Sequence, residues 1–73
     1  MKLVTTVGCS ICSAVKKIIM TEKYECAFMT PQDAEGSEII KMCGARELPV
    51  LEYNGVYYTG INALKKIKSL KGE

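Results

Sequence analysis

Two cysteines, Cys9 and Cys12, are separated only by Ser10 and Ile11 and follow directly on Gly8. At that spacing one sulfur can attack a foreign disulfide and the other can resolve the mixed disulfide so formed. The attacking group must be a thiolate, and a helix start favours one. There, unpaired backbone N–H groups and the positive end of the helix dipole stabilise negative charge. Cysteines so placed titrate at ~3.5–7.5 instead of the usual ~8.5. Cys9, nearer the end, is the expected attacking thiolate, and Cys12, one turn further in, the expected resolving thiol.

Four cysteines in 73 residues could also mean a disulfide framework or a metal site. Histidine is absent, and Cys26 and Cys43 stand apart from each other and from the Cys9/Cys12 pair. A structural zinc site wants two closely spaced ligand pairs, so redox chemistry is the better reading. Cys26, between Glu25 and Ala27, reads as a core thiol, and Cys43, beside Gly44, as an inert, partly buried one.

The elements around the pair follow from the apolar pattern. Residues 2–7 have the β-branched content of a strand and no strict alternation, which suits a strand covered on both faces. Ile11, Val15, Ile18 and Ile19 recur at helical spacing and predict a helix over 10–22. A second strand is expected at 24–29, giving a right-handed βαβ unit with parallel strands. Thr30-Pro31-Gln32-Asp33 resembles a helix start, with Thr30 as cap and Pro31 at the first helical position. Gly36 weakens that interior and moves the expected start toward Ser37, with a stop at Gly44. A strand at 50–53 turns at Asn54-Gly55, the signature of a type I′ hairpin, into a strand at 56–58. Gly60 ends it, Asn62 can cap, and Ala63, Leu64, Ile67 and Leu70 make one face of a last helix ending near Gly72.

Length and composition bound the function. A chain of this size is one domain, residues 1–73, and such chains bury only about 60% of their unfolded surface. The 48% apolar content suffices for a core. No apolar run approaches the roughly 20 residues of a membrane span, and the N-terminus lacks a signal-peptide layout, so a cytoplasmic protein without a membrane partner is expected. A net charge of +2, with dispersed basic residues, gives no reason to expect nucleic acid. Lys65, Lys66, Lys68 and Lys71 are accounted for as a solvated helix end complementing its dipole.

Three segments carry a resemblance. Gly8-Cys9-Ser10-Ile11-Cys12 after the first strand, Gly44-Ala45-Arg46-Glu47-Leu48-Pro49 before the third, and Thr59-Gly60-Ile61-Asn62 before the last helix resemble the motifs of glutaredoxins and related small redoxins. The resemblance covers nearly the whole chain and implies a minimal thioredoxin fold, of α/β class. Its order is βαβ-α-ββ-α, with a four-stranded mixed sheet and helices on both faces. It also implies that Pro49 is cis and packs against Cys9 and Cys12. Leu48 then offers backbone hydrogen bonds to a bound disulfide, Arg46 reaches a carboxylate, and Gly60, Ile61 and Asn62 flank the substrate.

The departures are specific. Ser10-Ile11 stands where glutaredoxins carry Pro-Tyr, Thr6 where a carboxylate-binding lysine is common, and Asn62 where an aspartate caps the helix. The resemblance implies a dithiol-disulfide oxidoreductase that reduces protein or glutathione mixed disulfides, with no bound cofactor and a monomeric state. Its electron donor would be glutathione or a flavin-dependent disulfide reductase. The alternative from another class is a module whose cysteine thiolates hold a metal or an iron–sulfur cluster.

Overall fold

The computed structural model describes residues 1–71, so the helix end expected at Gly72 lies outside them. The elements are β1 (Lys2–Val4), α1 (Ser10–Thr21), β2 (Ala27–Met29), α2 (Ala34–Cys43), β3 (Val50–Tyr53), β4 (Val56–Thr59) and α3 (Ile61–Lys71). This is the expected order. The sheet runs β2-β1-β3-β4, with β1 parallel to β2 and antiparallel to β3, and β4 antiparallel to β3.

Side chains alternate across the sheet and divide the core in two. Leu3 and Leu51 point to one face, where Val15 and Ile19 of α1 and Ala63 and Ile67 of α3 bury them. Val4, Val50 and Met29 point to the other, where Ile39 of α2 covers them. Leu3, Val4, Val50 and Leu51 are all fully buried, as the unbroken apolar runs of inner strands require.

The first two strands are shorter than expected because their flanks have other uses, while β3 has the expected bounds and β4 runs one residue further, to Thr59. After Val4 the Thr5 amide still bonds Met29 O at 2.8 Å, but the chain then turns through Val7 and Gly8, which has φ +80°. That turn carries Cys9 over the end of the strand and leaves Val7 99% exposed. Tyr24, expected in the second strand, gives its amide to Ile19 O at 3.0 Å and is held to the end of α1. Only Ala27–Met29 remain to pair with β1.

Residues 30–33 form a turn of their own instead of a helix start. Asp33 Oδ2 accepts from the Thr30 amide at 2.8 Å, and Thr30 Oγ1 accepts from the Gln32 amide at 3.3 Å. The Thr30 hydroxyl is thus spent within the turn, Pro31 lies outside the helix, and Asp33 takes the N-cap position of α2. Gly36 lies inside α2 and is buried. A Cβ there would sit 2.1 Å from Thr30 O, so glycine is what lets the helix lie against that turn. Gly44 ends the helix in the left-handed conformation, as expected. Asn54 and Gly55 have φ +51° and +79°, which confirms the tight hairpin.

Candidate active site

Cys9 is the N-cap residue of α1, in extended conformation (φ −101°, ψ 114°), with its side chain turned back over the first turn. An N-cap side chain faces amides that have no helical partner, and here the acceptor is a sulfur. The Cys12 amide donates to Cys9 Sγ at 3.1 Å. On its other side the Cys9 thiol meets Leu48 O at 3.9 Å.

Cys12 lies behind Cys9 and is only 2% exposed. Loss of hydration, followed by the neighbouring Cys9 sulfur, pushes its thiol up to about 11, against a smaller lowering by a hydrogen bond with the Thr6 backbone. All four cysteines are free in this structure. The two sulfurs therefore differ in kind: one half-buried beside an amide donor, the other fully buried with its thiol raised.

Pro49 is cis and fully buried. Its carbonyl accepts from the Gly60 amide at 2.9 Å, which ties the start of α3 to the proline loop. The loop and the Cys9 turn enclose an open groove of about 450 Å³ whose walls include Thr6, Cys9, Pro31, Arg46, Glu47 and Leu48. A second opening, of about 320 Å³, lies on the Cys12 side between Thr6, Gly8, Ser13 and Lys16.

The structure thus places Arg46 and Leu48 of the expected substrate residues in one groove with Cys9. Pro49 lies beneath that loop, and Gly60 is joined to it by the hydrogen bond. Ile61 is 47% exposed at the start of α3 and does not line the groove. Asn62 faces a separate depression with Tyr57, Tyr58, Lys65 and Lys66. Nor does Asn62 cap the helix: α3 begins at Ile61, so Asn62 lies within its first turn.

Glu47 and Pro31 also line the groove, and neither residue type at its position announces that in the sequence. Glu47 matters through its contact with Gly60, and nothing in the local sequence joins those two positions. Pro31, a proline just after a strand, reads in sequence as a helix start and lies here in the turn before α2. Cys26 is half-buried against the α1/α3 core, and its thiol is raised, chiefly by burial. Cys43 is half-buried on the α2 side, its Sγ near Ile40 O. Among the described residues no three potential ligands converge on a metal position.

No family profile matches the chain, and no curated protein matches it in sequence. Its fold does have a solved counterpart. The structure is similar to that of NrdH-redoxin from Escherichia coli, described as a glutaredoxin-like protein with a thioredoxin-like activity profile. The TM-score is 0.76 at 21% identity, over 94% of this chain and 91% of that one. The mixed sheet, its three helices and that correspondence give this chain an α/β thioredoxin-like fold.

Proposed function

We propose that the chain is a thiol-disulfide oxidoreductase that reduces disulfides through Cys9 and Cys12. The observation that carries this reading is the Cys12 amide donating to Cys9 Sγ at 3.1 Å while the Cys12 thiol stays buried and protonated. Cys9 thiolate attacks one sulfur of the substrate disulfide, forming a mixed disulfide and releasing the first substrate thiol. Cys12 then gives up its proton and attacks Cys9 Sγ, and the second substrate sulfur leaves as a thiol. Two electrons have passed from the pair to the substrate, and the Cys9–Cys12 disulfide remains to be reduced.

Arg46, Leu48, Pro49 and Gly60 form the substrate side of this reading, with Leu48 O freed for the substrate when Cys9 loses its proton. Ile61 and Asn62, on the far side of Gly60, contact the outer parts of a protein substrate. The donor is glutathione or a flavin-dependent disulfide reductase, working in a reducing cytoplasm. Thr6 and Asn62, together with the activity profile described for NrdH-redoxin, favour the flavin enzyme.

The test is steady-state reduction of a small mixed disulfide with glutathione, glutathione reductase and NADPH, beside the same assay with thioredoxin reductase. Cys9→Ser loses all turnover in whichever assay supports the wild type. Cys12→Ser loses turnover on protein disulfides and keeps it only on glutathione mixed disulfides. Full activity in Cys9→Ser would exclude the mechanism. Silence of the wild type in both assays, with visible absorbance in freshly purified protein, would favour the cluster-binding alternative.

A further inference from the structure

Three openings meet around the turn that carries Cys9. The Cys9 groove shares Thr6 and Pro31 with an adjoining depression of about 420 Å³, lined by Thr6, Val7, Thr30, Pro31 and Gln32. That depression in turn shares Thr6, Val7 and Thr30 with the opening on the Cys12 side. A continuous trough therefore leads from Cys9 over the 30–33 turn to Val7. None of the residues lining its middle part carries a charge. One wall is already fixed. The Asp33 amide donates to Thr30 O at 3.0 Å, Asp33 Oδ2 accepts from the Thr30 amide at 2.8 Å, and buried Gly36 lets α2 rest on the Thr30 carbonyl. Binding does not have to order that wall.

Val7 forms the other wall and stands almost wholly in solvent. Single exposed apolar residues are common and carry no message alone. Position gives this one its meaning. The Thr5 amide is pinned to Met29 O and Gly8 turns the chain toward Cys9, so Val7 stands at the crest of the turn, two residues from the attacking sulfur. A polypeptide whose disulfide reaches Cys9 brings its neighbouring residues within reach of that crest.

We infer that this depression is a substrate subsite and Val7 its specificity-determining residue, selecting polypeptide disulfides that carry an uncharged apolar side chain next to the cysteine. The inference rests on the oxidoreductase reading and deepens it by naming the substrate class. A leucine side chain packed between Val7 and Pro31 leaves water together with part of the valine, whereas a serine gains little there. Partial burial of this kind changes a rate roughly three- to tenfold.

The test uses two cystine peptides, the disulfide dimers of the acetylated and amidated tripeptides Leu-Cys-Leu and Ser-Cys-Ser, each mixed with pre-reduced protein. A dimer accepts two electrons and two protons from the Cys9 and Cys12 thiols and leaves as two peptide thiols, while the protein gains one disulfide. Protein oxidation is followed by alkylation and mass. Each rate is divided by that of dithiothreitol with the same dimer, which removes intrinsic reactivity.

In the wild type the leucine dimer reacts roughly three- to tenfold faster than the serine dimer after this normalisation. Val7→Ser brings the two rates together, and Val7→Ile retains the preference. Because Val7 is almost wholly exposed, both variants keep the wild-type midpoint in urea unfolding. Equal normalised rates in the wild type overturn the inference, and so does a leucine preference that survives in Val7→Ser. A Val7→Ser protein that slows both dimers alike has kept the preference and overturns it too, because Val7 then acts on Cys9 and not on the substrate. Failure of both dimers to oxidise the wild type is a different result: it removes the oxidoreductase reading, and the inference with it.

Discussion

Burial governs Cys12 more than any nearby charge does. With its sulfur packed behind Cys9, the thiol reaches about 11 from an ordinary 9.0, and the folded protein resists its ionisation. The sign of the consequence is definite. Below pH 9 the thiol is protonated whether the chain is folded or not, and nothing is lost. Between 9 and 11 the unfolded chain releases this proton and the folded one retains it, so stability falls as pH rises through that window. Urea unfolding measured from pH 8.5 to 11 should show this decline in the wild type and a shallower one in Cys12→Ser. At this scale the sequence was legible where chemistry was local. The spacing of Cys9 and Cys12 and their place at a helix start were readable, and the resemblance pointed to a cis Pro49. Glu47 was not, because its partner Gly60 comes from a different segment of chain. Asn62 misled because a cap-forming residue type says nothing about which turn of the helix it will occupy.

At the scale of elements, α2 shows how a helix can depend on what it omits. Gly36 reads in sequence as a weak point, and it moved the expected helix start toward Ser37. In the structure the helix starts at Ala34, and the glycine marks the place where it rests on the Thr30 carbonyl. Ordinarily, replacing an interior helical glycine with alanine stabilises a helix by about 0.5–1 kcal/mol. Here the added Cβ would meet backbone at 2.1 Å and has no flexible side chain to displace, so the sign reverses. Gly36→Ala should lose about 1–3 kcal/mol in urea unfolding, the usual cost of overpacking. Element types and order were all legible from apolar periodicity, the Asn54-Gly55 turn and the stop at Gly44. The ends of β1 and β2 were not, because hydrogen bonds such as that between the Tyr24 amide and Ile19 O are made outside the sheet.

The whole molecule has little stability to spare, since domains hold only roughly 0.05–0.15 kcal/mol per residue. Leu51 is fully buried on the face shared by α1 and α3 and is paired with Leu3 and Tyr58 across the sheet. Leu51→Ala should cost about 2–5 kcal/mol, enough to leave a substantial unfolded population on mild heating, as thermal unfolding followed by circular dichroism would show. The division into two cores follows directly from the adjacent pairs Leu3-Val4 and Val50-Leu51, whose members face opposite sides. The strand order has a further consequence for the timing of synthesis. β1 is made first, yet it lies inside the sheet and needs both β2 and β3 beside it. The face above Leu3 stays half uncovered until α3 brings Ala63 and Ile67 to it. A nascent chain on the ribosome would therefore present Cys9 and Cys12, near its N-terminus, long before the last helix could close the face over Leu3.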